Sequence, residues 1–157
     1  MTAAHPPRDS RTGTAPRTYG EDRGGYVLAE ASAEPPDALL VAAAGDESVA
    51  LAARAVLEAE SIATRVVVLP HPDRFARQDA AYRDALLPPG TPVRVSVEAG
   101  AALGWYALLS GAGQVVGIEE FGARAPYRSL YRHAGLTPER VAAAVRAALA
   151  RTRRKAA

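Results

Sequence analysis

Short apolar runs, repeated at intervals that leave room for helices, constrain this chain more than any single motif does. Ala38-Leu39-Leu40-Val41-Ala42 contains no polar residue, and a strand of that kind has to be covered on both faces, as in a parallel sheet. Val66-Val67-Val68-Leu69 is a second run of the same character, stopped by Pro70 and Pro72. Between the two, Val49, Ala52, Ala53, Val56 and Leu57 follow one another at i, i+3, i+4, i+7 and i+8, which lines one face of a helix over about 48–60. Strand, helix and strand together make a βαβ unit, whose crossover is right-handed.

The flanking segments extend the pattern. Tyr26-Val27-Leu28, bounded by Gly24-Gly25, suits a first strand, and Ala31 to Asp37, with Pro35-Pro36, a loop. Residues 73–87 carry Phe75, Tyr82, Leu86 and Leu87 among charges and are closed by Pro88-Pro89-Gly90, which predicts one or two short helices. Val93, Val95 and Val97 alternate with Arg94 and Ser96, the signature of a half-buried fourth strand. Gln114 to Ile118 is a fifth. Thr137-Pro138-Glu139 supplies an N-cap residue type, a proline at the first helical position and an acid in the first turn. Val141, Ala144, Val145, Ala148 and Leu149 then repeat the apolar stripe of the first helix. The expected fold is α/β: a three-layer α/β/α sandwich on a mostly parallel sheet of about five strands.

A chain of 157 residues is expected to build one core. Residues 1–22, with prolines at 6, 7 and 16 and no apolar periodicity, read as a disordered tail, 23–150 as the folded domain, and 151–157 as a basic C-terminal tail. The absence of cysteine excludes disulfides, thiolate metal sites and cysteine nucleophiles. No apolar run approaches the roughly 20 residues of a membrane span, and the first residues lack a signal peptide's apolar stretch. A cytoplasmic protein, neither exported nor membrane-embedded, is therefore expected. With a formal net charge of +2, nucleic acid is not an expected partner. Arg151-Thr152-Arg153-Arg154-Lys155 reads as a solvated helix end, since no aromatic residues are interleaved with it.

Ligands of open α/β sheets bind beyond the carboxyl ends of the strands. That directs attention to Gly45–Ser48, Pro70–Asp73, Glu98–Gly104 and Glu119–Pro126. Gly45-Asp46-Glu47-Ser48 leads from strand to helix, where exposed N–H groups hold anions, but its two carboxylates oppose a phosphate and the spacing is not that of a P-loop. Capping by Asp46 or Ser48 is the simpler role. His5, His71 and His133 have no partner at helical metal-pair spacing, and Ser96, Ser110 and Ser129 lack a nucleophile elbow. Glu98, Glu119 and Glu120 stand at strand ends, where carboxylates serve acid–base chemistry or simply face solvent and helix N-termini. Arg124 offers a forked donor for a carboxylate, in a chain where 18 of the 19 basic residues are arginine. Trp105 and Tyr106 suit an interface anchor or plain core. Gly45, Ser48, Glu98, Trp105, Phe121 and Arg124 are the candidate ligand or interface residues; none is a candidate for catalysis, cofactor or metal.

Taken in order, several segments resemble the C-terminal domain of transketolase over residues from about 20 to 150. They are RGGYVL from Arg23 to Leu28, and RVVVLPHPDRFARQDAAYRDALLP from Arg65 to Pro88, with its Phe-x-x-Gln and Tyr-x-x-x-x-Leu-Pro. They continue with VEAGAALGW from Val97 to Trp105, GIEEFGARAP from Gly117 to Pro126, and a final helix introduced by GLTPERV. The resemblance implies a mixed five-stranded sheet with one antiparallel strand. It also implies that thiamine diphosphate, its metal and the sugar phosphate are held by two domains that precede this one, so that no catalytic residue carries over. The chain departs from the family at Ala44-Gly45-Asp46-Glu47-Ser48-Val49, where the family reads T-G-S-E-V, at Arg124 in place of a serine, and at Tyr106-Ala107, where a basic residue commonly follows the tryptophan. What the resemblance implies is a free-standing, non-catalytic subunit of a split transketolase, with thiamine diphosphate and magnesium only in a partner chain. That partner is a separately encoded chain carrying the thiamine-diphosphate-binding domains, or the chain forms a homodimer. The alternative is a small-molecule or anion-binding regulatory module with no transketolase activity.

Overall fold

In the computed structural model, which describes residues 21–97, 114–117 and 137–156, the apolar runs become the strands of one sheet. A 3-10 turn, Glu21–Arg23, leads into β1 (Tyr26–Ala29). Then follow β2 (Ala38–Ala42), α1 (Glu47–Ala59), β3 (Thr64–Val68), α2 (Pro72–Ala76), α3 (Ala80–Leu86), β4 (Val93–Val97), β5 (Gln114–Gly117) and α4 (Pro138–Ala156). The strand order is β1-β3-β2-β4-β5. β3, β2, β4 and β5 are parallel to one another, and β1 alone runs antiparallel, pairing Tyr26 with Val68 and Val27 with Val67. This is the mixed five-stranded sheet that the resemblance implied.

β2, in the middle, is buried along its whole length, and its side chains alternate between two apolar layers as strand geometry requires. Ala38, Leu40 and Ala42 join Val66, Val68 and the valines of β4 under α1 and α4. Leu39 and Val41 join Val67, Leu69, Phe75, Leu86 and Leu87 under α2 and α3. The expected stripe of α1 contributes Ala53 and Leu57 to the core, and that of α4 contributes Val141, Ala144, Val145, Ala148 and Leu149. Helices on both faces of the sheet make the three layers.

Two expectations change. β4 is buried on both faces rather than one, because Arg94 is folded under the end of α3, where its Nη2 donates to the carbonyl oxygens of Leu87 and Pro88. Residues 151–156 are not a separate tail but the last turns of α4, which runs to Ala156. Arg153, Arg154 and Lys155 lie in its final turn, where cations meet the negative end of the helix dipole.

Arg65 mirrors Arg94. In the parallel register both stand opposite Leu39, one on each side of β2, so both guanidinium groups lie on the α3 face. Arg65 Nη1 donates to the carbonyl of Ala85 at 3.0 Å, and its remaining nitrogens pair with Glu30 at 2.9 Å and Glu34 at 2.8 Å. The last carbonyls of α3, which no intrahelical N–H can reach, are thus taken up by Arg65, and those of Leu87 and Pro88 just beyond the helix by Arg94.

At this same amino edge of the parallel strands, Arg54 of α1 donates to the Glu30 and Thr64 carbonyls, and the Glu58 carboxylate accepts from the amides of Ser32 and Thr64. Burial pushes the Glu58 carboxyl up, but hydrogen bonds from Ser32 and Thr64, with the Arg54 cation nearby, outweigh it and hold the group below its usual value. On the outer layer, Arg146 of α4 forms a two-pronged pair with Glu60, just past the end of α1.

Two predictions follow from this packing. Val145→Asp places an unpaired carboxylate in the α1–α4 core; that costs several kcal/mol against a total of about 5–15, so cooperative thermal unfolding is lost in circular dichroism. A carboxylate with a depressed folded pKa stabilises above its unfolded pKa and loses that contribution as pH falls through the folded value. Glu58→Gln therefore lowers stability near neutral pH by about 1 kcal/mol. In urea melts, the gap to wild type closes as pH drops below the ordinary glutamate value of about 4.3.

Candidate functional site

The carboxyl ends of the parallel strands are the edge where this architecture binds ligands, and two of the four expected loops there are described. After β2, the Ala43 amide donates to the carbonyl of Val97 at the end of β4, and Gly45 turns the chain at a φ of +99°, a left-handed conformation that favours glycine. Asp46 takes the N-cap position of α1, but its side chain makes no capping bond. Instead the Glu47 carboxylate reaches back to the Gly45 amide at 2.8 Å. The expected side-chain cap is therefore not made: the Glu47 carboxylate ties down the amide of Gly45 ahead of the helix, and Ser48 is exposed. Of the other candidate residues, Glu98, Trp105, Phe121 and Arg124 lie outside the described residues, so the structure brings none of them together with Gly45 or Ser48.

The second loop, Pro70 to Asp73, does something that periodicity did not indicate. Because β1 is antiparallel, the chain enters the domain at this carboxyl edge, and residues 71–75 lie directly on Gly24-Gly25. A Cβ on Gly24 would stand 2.4 Å from the Phe75 amide nitrogen and 2.5 Å from the His71 carbonyl oxygen, and one on Gly25 2.4 Å from Leu69. Gly24 also has a φ of +91°, and its carbonyl accepts from the His71 amide at 3.2 Å. Only glycine satisfies both the conformation and the space.

Side chains complete a clasp around this entry. The Arg23 guanidinium stacks 3.7 Å above the Tyr82 ring, and its Nε donates to Gln78 Oε1 at 3.1 Å. The Tyr82 hydroxyl donates to the Gly25 carbonyl at 2.5 Å, and its ring tilts against Phe75 with centroids 6.3 Å apart. Burial holds the Tyr82 phenol above its ordinary pKa, with the Arg23 cation opposing and the Asp22 carboxylate adding to the rise. The phenol therefore stays protonated and donates. Asp79 caps α3 by accepting from the Tyr82 amide at 2.8 Å.

Comparison with known proteins decides what this assembly belongs to. The family profile described as Transketolase-like TK C-terminal domain matches residues 24–137. The chain belongs to the transketolase C-terminal domain family. It is 42% identical over 130 residues to a transketolase of Mycobacterium leprae, covering 81% of this chain and 19% of that protein. With a plasmid-encoded transketolase of Cupriavidus necator it shares 47% over 127 residues, covering 81% and 18%. Among solved structures, transketolase from Leishmania mexicana superposes with a TM-score of 0.66 at 34% identity, over 85% of this chain and 19% of that one. A structure described as a split gene transketolase, inactive beta4 tetramer, superposes with a TM-score of 0.60 at 30% identity, over 83% of this chain and 43% of that one. The chain spans about a fifth of the length of the full transketolases it matches.

Those transketolase-like motifs that fall on described residues can now be placed; VEAGAALGW beyond Val97 and GIEEFGARAP beyond Gly117 lie outside them. Gly24-Gly25, Phe75, Gln78 and Tyr82 are the clasp, and Leu87-Pro88 supply the carbonyls that hold Arg94. All serve packing. Among the described residues no three His, Cys, Asp or Glu side chains gather as metal ligands would, and the α1 N-terminus, where a diphosphate would seek amide donors, presents Asp46 and Glu47. These residues do not fit thiamine diphosphate and its metal. Also among the described residues, no helix is long and apolar enough to cross a membrane.

If the clasp carries the entry of the chain, the two kinds of contact have different costs in urea unfolding. Tyr82→Phe removes one hydrogen bond and keeps the ring, and lowers stability by about 1 kcal/mol. Gly24→Ala adds left-handed strain of about 1–2 kcal/mol to a backbone collision and lowers it by more than that. A Gly24→Ala protein as stable as Tyr82→Phe refutes the seating of residues 71–75.

Proposed function

We propose that this chain is the C-terminal-domain subunit of a split transketolase. It is non-catalytic by itself and works in the cytoplasm beside a separate chain that binds thiamine diphosphate and magnesium and transfers two-carbon ketol units between sugar phosphates. The observation that carries this reading is the likeness to the split gene transketolase, where a chain containing this domain is described as an inactive beta4 tetramer. The dedication of the described motif residues to packing supports it: Gln78, Tyr82 and Arg94 are spent on holding α2, α3 and the entry segment to the sheet. A domain whose matched residues shape a surface contributes to such an enzyme by completing its assembly.

The test is reconstitution. The purified chain with thiamine diphosphate, magnesium and a ketose phosphate donor shows no ketol transfer above blank, and calorimetry shows no cofactor binding near micromolar Kd, about −8 kcal/mol. Mixed with Cupriavidus necator transketolase from which the matching segment has been deleted, it raises the rate above that of the truncated enzyme alone. Turnover by the chain alone, or no rise on mixing, overturns the reading.

A further inference from the structure

Resting on that reading, we infer that the partner chain seats on the carboxyl edge of this sheet, against the Gly24 junction, the outer side of α2 and the turn at residues 43–46, rather than on the basic end of α4. In a full-length relative the match to this chain is the C-terminal fifth, so the rest of the enzyme reaches the domain through the residue equivalent to Gly24. The reversed β1 brings that point to the carboxyl edge, since Tyr26 at its start pairs with Val68 at the end of β3. The junction is not a loose hinge. Gly24 is pressed between the backbones of His71 and Phe75, Arg23 is held by Tyr82 and Gln78, and Arg74 donates to the Asp22 carbonyl. A rigid junction keeps the preceding domains close to the surface around it, and a split enzyme assembling the same geometry meets the same surface.

The distribution of charge agrees. At the amino edge the charged groups of the strands, the 30–37 loop and the end of α1 are consumed within the domain: Arg65 by Glu30 and Glu34, Arg54 by carbonyls, Glu60 by Arg146. On the carboxyl edge, His71, Asp73 and Arg77 are exposed, and their side chains have no hydrogen bond or ion pair among the described residues. An alternating polar surface of this kind suits a protein rim better than a nucleic acid or a lipid headgroup layer.

Hydrogen exchange on the wild-type chain, free and mixed with the truncated Cupriavidus necator transketolase, locates the interface. Slowed exchange at 43–48 and 70–78, with 60–64, 88–92 and 146–156 unchanged, is the expected result. The double variant Asp73→Arg, Arg77→Glu weakens the complex about tenfold and Arg154→Glu changes it less than about twofold, each variant keeping a cooperative unfolding transition. A complex that protects the amino edge or the end of α4 overturns this surface while leaving the split-subunit reading standing. Absence of any complex overturns both.

Discussion

The seating of residues 71–75 on Gly24-Gly25 is the constraint on which the path of this chain depends. It lets β1 enter against the direction of the other four strands, because the entering backbone has to pass beneath the start of α2 with no side chain between them. Once β1 is reversed, Ala29 ends at the amino edge, and the 30–37 loop needs only to turn there before β2 begins the parallel part of the sheet. The loop is then tied at both sides of the sheet, by Arg54 from the α1 layer and Arg65 from the α3 layer. A bulkier residue at position 24 would disturb more than a local turn, since the order of the edge strands rests on it.

The two buried arginines do a different kind of work. Hydrogen bonds to charged groups contribute about 1.5–3 kcal/mol each, but burying a guanidinium costs a comparable amount. Net stabilisation is therefore not their main effect. Arg65 and Arg94 sit across Leu39 from one another and reach the carbonyls between Ala85 and Pro88, which fixes where α3 ends and how it lies on the sheet. Removing either would leave buried carbonyls without a partner, so the pair specifies position more than it adds stability. Asp84 opposes the lowering of the Arg94 pKa that burial causes, in keeping with a guanidinium that stays charged in its site.

Much of the fold was legible because strand and helix periodicity are local properties. β2, α1 and the core residues of α4 follow directly from the spacing of apolar residues, and the βαβ unit follows from their order. What failed depended on side-chain geometry and on how elements fold back on one another. Arg94 alternates with valines as a solvent-facing residue would, and its burial depends on how the end of α3 and the turn after it fold back over β4, which residue periodicity does not encode. Asp46 has the right type and place for a cap, yet Glu47 makes the bond to Gly45, a choice between neighbouring carboxylates decided by side-chain geometry. The clasp was visible only as motif letters, since Gln78 and Tyr82 are separated by more than fifty residues from Arg23 and the entry they hold. Of the candidate site, Gly45 and Ser48 are placed, while Glu98, Trp105, Phe121 and Arg124 lie beyond the described residues.

The same placement bears on how far likeness to transketolases reaches. Identity of 42–47% over most of the chain establishes the fold, and the described motif residues account for why that fold holds: two glycines for a close approach, a tyrosine and a glutamine for a clasp, a Leu-Pro for arginine-held carbonyls. None of them has to touch a substrate to be required. At the carboxyl edge the exposed His71, Asp73 and Arg77 are charges and dipoles the domain does not use itself, whereas Arg54, Arg65 and Glu60 at the opposite edge are already paired within it.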